Sequence, residues 1–251
     1  MSQSSCPPPL APLAAVQSTL REQGFAVIGA DDVCQLLGVS ASQFAELAPY
    51  WSDLPPDDFL KDGGRYRKRR HGSFVVDGER LTQVPHRAHW QPVAYNALHG
   101  GMERWFGELE LTVVNHAGWQ PLLLGLGALA SAQKGAQPWF VEAHMFRIDT
   151  AGGIGRPTPE GAHRDGVDFV AVFMVDRHGI KGGESRVFEA NGPRGQRFTL
   201  AQPWSLLLLD DEQVIHESTP IQPTMPDTLG WRDTLVITLR AEGFQEDMPA
   251  A

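Results

Sequence analysis

His163 and Asp165, one residue apart, and His216, 51 residues beyond Asp165, are the side chains in this sequence best suited to holding a metal ion. Two imidazoles and one carboxylate can occupy one face of iron(II) and leave the opposite face open, which suits oxygen activation better than a structural role. A structural zinc site would bring four ligands, usually with cysteine, and magnesium or calcium would want mostly oxygen donors. The pair stands in "EGAHRDGVDF", bracketed by Gly161 and Gly166, and His216 follows the apolar run "WSLLLLDD". Alternate residues of a strand face the same way, so an H-x-D pair can reach one ion from a single strand end. The competing reading is a turn in which Asp165 caps a backbone amide and His163 faces solvent. With nine histidines in the chain, H-x-D alone is a weak signal.

Arg232 opens "WRDTLVITLR", 16 residues past His216. If 2-oxoglutarate chelated the iron through its keto acid end, its far carboxylate would point into the protein. A guanidinium offers that group two parallel donors, where a lysine offers only a point charge. Arg240 on the same run is the alternative anchor, Thr234 or Thr238 could add a hydroxyl, and an ion pair of Arg232 with Asp233 or Glu217 is the competing reading. For a substrate carboxylate, "RYRKRRH" puts Arg65, Arg67 and Arg69 on one face of a strand, and one of them could clamp it. A solvated basic face and a phosphate or nucleic-acid patch compete with it. Arg147 in "HMFRID" is a second candidate, against an ion pair with Asp149. Glu160 could orient a metal-bound imidazole or accept a bond from a substrate amine. His86 and His89 form H-x-x-H, but Pro85 and Pro92 indicate a loop. His71, His99, His116, His144 and His178 have no partner pattern and read as ordinary surface or hydrogen-bonded core residues.

The elements that must position these groups fall into two halves. Residues 1–9 read as a disordered leader, followed by a single domain over 10–251, helix-rich to about residue 138 and β-rich over 139–241. Helical spacing of Leu13, Val16, Gln17 and Leu20 ends at Gly24, and "FAVI" reads as a short buried strand. Ser40 and Gln43 fit a capping box for a helix that stops before Pro49. "FVVDGERLTQV" is a hairpin with Asp77-Gly78 at its turn. Helices are expected over about 97–109 and 122–133. Short β-prone runs then dominate, at 139–148, 167–175, 184–189, 197–200, 204–210, 213–217 and 234–240, a rhythm of antiparallel sandwiches and barrels.

Composition narrows the function class. With 42% hydrophobic and 20% charged residues the chain reads as an ordinary globular protein, and a net charge of -9 disfavours bulk attraction to nucleic acid or anionic membrane. Cys6 and Cys34 alone make no disulfide framework, and the proline-broken start is no signal sequence. The longest apolar stretch, Leu122 to Ala130, falls far short of a membrane span of roughly 20 residues. A cytoplasmic protein is expected.

"PTPEGAHRDGVDFVAVFMVDRHGIKGGESRVFE", "LLLLDDEQVIHEST" and "WRDTLVITLR", with "YRKRRHGSF" and "ALHGGMERWFGEL" upstream, resemble the bacterial 2OG-Fe dioxygenase family that includes L-isoleucine 4-hydroxylase. The resemblance runs from about Arg65 to Arg240. It implies an α+β chain with a double-stranded β-helix (jelly-roll, cupin-like) core and N-terminal helices packed on it. It further implies Fe(II), 2-oxoglutarate as co-substrate, and ascorbate as reductant in vitro. The family's iron ligands fall on His163, Asp165 and His216, its co-substrate arginine on Arg232, and the resemblance also implies a substrate role for "RYRKRRH", with Arg67 as the candidate clamp. The implied reaction hydroxylates a free L-amino acid or similar small acid, with succinate and CO2 as co-products. The partner is then a small molecule, with no nucleic acid or membrane, and a homodimer is compatible with this reading. The alternatives are an oxygenase of a peptide or protein side chain, or a non-catalytic β-barrel that senses metal or 2-oxoglutarate.

Overall fold

The computed structural model describes residues 6–245. The strands are β1 (Phe25–Ile28), β2 (Arg67–Asp77), β3 (Arg80–Gln83), β4 (Gly107–Glu108), β5 (Trp139–Asp149), β6 (Phe169–His178), β7 (Ile180–Gly182), β8 (Ser185–Glu189), β9 (Gly195–Phe198), β10 (Leu206–Asp210), β11 (Val214–Ser218), β12 (Ile221–Pro223) and β13 (Trp231–Arg240). The helices are α1 (Val16–Gln23), α2 (Ala30–Leu37), α3 (Ala41–Leu47), α4 (Leu111–Val114) and α5 (Trp119–Lys134). A large sheet runs β1-β10-β6-β13-β5-β2-β3, with β4 added beside β2. Two small sheets, β11-β8-β9 and β12-β7, complete the β structure. The core is thus mostly β-sheet with a few helices.

Period-2 alternation sorts the large sheet's side chains. One set, including Phe74, Val76, Val141, Ala143, Met145, Leu235, Ile237 and Leu239, joins the helices in one hydrophobic cluster with Phe44, Trp51, Trp119 and Leu122. The opposite set forms ordered rows, because β2 and β13 both pair antiparallel with β5. Arg67, Ile148 and Arg232 make one row, and Arg69, Phe146 and Thr234 the next. His71, His144 and Val236 follow, then Ser73, Glu142 and Thr238. A face this polar and this buried is unusual for a sheet interior, and it is where chemistry must be sought.

Several local expectations appear in the structure as read. Gly24 ends α1 in the left-handed region. The Ser40–Gln43 capping box opens α3 with both of its hydrogen bonds, and Asp77 pairs with Arg80 across the hairpin turn. Others need correction. The expected helix over 97–109 does not form. The segment is held instead by paired backbone bonds between His89 and Arg104, at 2.9 and 3.1 Å, and by Gly101 N–H to Gln91 O at 2.8 Å. Gly101 has φ +72°, a conformation that interrupts a helix. The division near residue 138 is not structural, because β1, β2 and β3 from the first half are strands of the large sheet. Residues 1–5 of the expected leader lie outside the described residues. From Cys6 the chain is placed, since Thr199 N–H donates to Cys6 O at 3.0 Å. Among the described residues no helix is long and apolar enough to cross a membrane.

Candidate active site

His163, Asp165 and His216 come together. His163 and His216 form an antiparallel bridge, exchanging backbone bonds of 3.0 and 2.9 Å, which sets their rings side by side with centroids 4.7 Å apart. Asp165 Oδ1 stands 3.8 Å from His163 Nε2, and its Oδ2 stands 3.8 Å from His216 Nε2. His163 Nδ1 lies 2.9 Å from Gly161 O, so it carries the proton and Nε2 is left as a lone-pair donor. Burial, with His163 beside it, pushes His216 down to about 3 and keeps that imidazole neutral. Burial works against a charged His163, but Asp165 and Glu160 outweigh it and raise its pKa. The donor set, all aimed at one point, fits a divalent metal.

The loop carrying Asp165 is built to hold it. The buried Asp211 carboxylate accepts the backbone N–H groups of Asp165, Gly166 and Val167 at 2.8–3.2 Å. Gln245 donates to the carbonyls of Asp165 and Gly166 at 2.6 and 2.9 Å. Gly166 has φ +76°, and a Cβ there would run into the Tyr95 ring, so both the backbone and the space require glycine. Gln91 donates to Asp165 Oδ1 at 3.1 Å, while its own oxygen accepts from Arg104 Nη2 at 2.9 Å and Asn96 Nδ2 at 3.1 Å. The amide is thereby fixed with its nitrogen towards Asp165. Gln91→Leu should lower metal affinity or turnover by about 10–100-fold, the usual effect of losing a partner of a metal ligand. Iron titration and succinate formation measure this, and unchanged values in both would remove Gln91 from the site.

A cavity of about 130 Å³ opens from this cluster along the polar rows of the large sheet. Arg232 and Thr234 line it. Arg232 is 3% exposed, and its Nε and Nη2 are buried without a hydrogen-bond partner. Burial, with Arg177 adjacent, pushes its pKa down to about 10. An unpartnered buried guanidinium in the same cavity as the two imidazoles and Asp165 is a cradle for a carboxylate. Arg177 is the cross-strand partner of Arg232 on β6 and also has an unpartnered nitrogen, Nη1. Gly183 leaves room for both: a Cβ there would stand 3.0 Å from Arg177 Nη1 and 3.5 Å from Arg232 Cδ.

The remaining candidates separate. Arg240 bonds Gly243 O at 3.1 Å and does not line the cavity. Arg67 lines it, with Nε on Asp57 at 2.6 Å. Arg147 is removed as a substrate residue: it faces away from the cavity in a two-bond pair with Asp233, at 2.6 and 2.8 Å. Glu160 lines the cavity 3.6 Å from His163 Nε2, on the side the metal would occupy, so it does not orient that ring through Nδ1. Sequence reading passed over His71, His89 and His144, which gather with Glu142 in a second buried group whose donor atoms also lie within 4.8 Å of one another. Glu142 Oε1 is shared by His71 Nε2 and His89 Nδ1 at 3.0 Å each, and His144 Nδ1 lies 2.7 Å from Arg69 Nη2. Glu142 Oε1 and one nitrogen of each of the three rings are thus hydrogen-bonded, while His71 Nδ1 has no partner, and the neighbouring guanidiniums repel a cation.

The family description 2OG-Fe dioxygenase matches residues 48–238. A crystal structure of a bsmA homologue from Methylobium petroleophilum PM1 is similar at 53% identity and TM-score 0.89, over 96% of this chain and 97% of that one. The fold is also similar to IDO from Bacillus thuringiensis, with TM-score 0.74 at 15% identity over 92% and 96% of the two chains. A third likeness is to the Fe(II)/α-ketoglutarate-dependent dioxygenase TqaL, with TM-score 0.70 at 17% identity over 95% and 90%. Comparison with curated proteins finds no match.

Proposed function

Because the chain belongs to the 2OG-Fe dioxygenase family, and is therefore a 2-oxoglutarate-dependent iron dioxygenase, we propose that it hydroxylates a free L-amino acid or similar small acid. In this reading His163, Asp165 and His216 hold the iron, and the core is a double-stranded β-helix. The observation that carries the reading is the unpartnered Arg232 guanidinium in the same cavity as the three converging ligand side chains. Iron and 2-oxoglutarate, when bound, supply the oxidising chemistry, with succinate and CO2 as co-products and one oxygen atom delivered to the substrate.

The chain's own residues bind, orient and exclude water. His163 and His216 present Nε2 atoms fixed by their bridge, and Asp165 is aimed by Gln91 and by the backbone bonds to Asp211. Arg232 clamps the far carboxylate of 2-oxoglutarate, and Thr234, one row along the same face of β13, lies beside it. Val167, Val172, Phe146 and Val236 give the cavity apolar walls that hold a carbon chain away from water. No side chain need move a proton in the hydroxylation, so positioning is the protein's main contribution.

A pool of free L-amino acids incubated with the protein, Fe(II), 2-oxoglutarate and ascorbate, beside a metal-free control, tests the reading by mass spectrometry. The expected result is an amino acid heavier by one oxygen, matched by equal succinate. Succinate without an oxidised amino acid would overturn the substrate and leave the dioxygenase.

A further inference from the structure

The cavity also carries charged side chains besides the ligand triad and Arg232. Arg67, Arg69 and Arg104 line it, at 6%, 4% and 2% exposure. Each keeps one buried nitrogen without a partner: Arg67 Nη2, Arg69 Nε and Arg104 Nε. Arg69 lies between two rings, 3.6 Å from the Phe106 centroid and 4.3 Å from that of Phe146. Arg104 is held through Nη2 by Gln91, and Arg67 through Nε by Asp57. These guanidiniums are thus fixed in place with donors to spare.

Asp57 and Glu142 oppose the three guanidiniums, while burial, only partly offset by Glu142, pushes His89 down to about 4 and keeps it neutral. Two further carboxylates lie on the cavity wall: Glu160, 3.6 Å from His163 Nε2 and also acting on Arg104, and Asp165, joined to Arg104 through Gln91. Leaving guanidinium N–H groups buried without an acceptor is costly, and an acceptor on a bound ligand removes the cost. A phosphate dianion fits poorly, because the Glu142 carboxylate faces the same space. Glu142 takes both imidazoles on Oε1, so that Oε2 takes neither. Spare guanidinium donors beside a spare carboxylate oxygen are complementary to a group carrying one negative and one positive charge.

We propose that this part of the cavity is a head-group subsite for a free α-amino acid, with Arg104 and Arg69 binding the α-carboxylate and Glu142 the α-ammonium. The proposal rests on the dioxygenase reading and narrows its substrate class. It also moves the carboxylate anchor from Arg67, whose charge Asp57 already meets, to its neighbours. Arg104 is joined to Asp165 through the single amide of Gln91. A head group held there directs the side chain along Phe146, Val172 and Val236 towards the ligand triad, so the oxidised atom lies on the side chain and the α-carbon is spared.

The test is thermal stabilisation of the protein loaded with manganese(II) and 2-oxoglutarate, without oxygen, by each of the twenty common L-amino acids. Those that stabilise are repeated as the methyl ester and as the N-acetyl derivative. At least one apolar L-amino acid is expected to stabilise. Each modification should weaken its binding by at least about 10-fold, the scale of one lost charge-assisted hydrogen bond. Arg104→Gln and Glu142→Gln should each weaken it by about 10–100-fold on the same grounds. Stabilisation by 2-oxoglutarate alone should persist in Glu142→Gln, which shows that it is folded, while for Arg104→Gln, where Gln91 also loses a donor, the amino acid shift is read relative to that variant's own 2-oxoglutarate-loaded form. If ester and N-acetyl forms bind as well as the free amino acid, or if no amino acid binds while 2-oxoglutarate does, the subsite is overturned and the dioxygenase reading stands. If 2-oxoglutarate itself fails to stabilise the unaltered protein, the reading beneath the proposal fails with it.

Discussion

His216→Ala is expected to make no succinate from 2-oxoglutarate under conditions where the unaltered protein does. The imidazole is half-buried, neutral and aimed with His163 Nε2 and Asp165 at one point. Alanine leaves two donors where three are needed to hold one face of the metal. The loss should exceed the roughly 10–100-fold that follows from removing a mere partner of a ligand. The bridge that places His216 uses backbone atoms, so the substitution should spare the fold. His163→Ala is expected to behave alike. Succinate at the normal rate from either variant would remove the triad from the chemistry.

Arg232→Ala should act differently, on co-substrate affinity. Two hydrogen bonds to a charged group contribute about 1.5–3 kcal/mol each, so their loss predicts a rise of at least about 100-fold in the apparent KM for 2-oxoglutarate. Turnover at saturation should fall much less. Arg232→Lys keeps the charge and loses the fork, and should lie between the two. An unchanged KM in Arg232→Ala would hand the carboxylate to Arg177, the neighbour with a spare Nη1, since Arg240 points elsewhere.

Why some of this could be read from the sequence and some could not is a matter of range. The H-x-D pair, the histidine after an apolar strand and the arginine opening the next strand are local signals, and they name side chains that the structure gathers into one cavity. The rows of the large sheet also follow from local alternation, which put Arg67 and Arg69 on one face in advance. The segment from His89 to Arg104 was illegible, because its order comes from bonds such as Gln91 to Asp165 across 74 residues, and its helix-like spacing was broken by Gly101. Asp211 read as the end of a strand. Its three backbone acceptances come from residues 44–46 positions away. Glu142 and His144 stand two apart on β5, but only sheet register brings His71 to them, so no motif in the sequence announces the group.

That second cluster sets up the most direct test of the central claim, that iron is held by His163, Asp165 and His216. Iron(II) is added without oxygen to the unaltered protein, to His216→Ala and to Glu142→Gln, and bound iron is measured after gel filtration. The account predicts a single iron per chain in the unaltered protein and in Glu142→Gln, and none retained by His216→Ala. Iron kept by His216→Ala and lost from Glu142→Gln would put the metal among His71, His89, Glu142 and His144 and contradict the account.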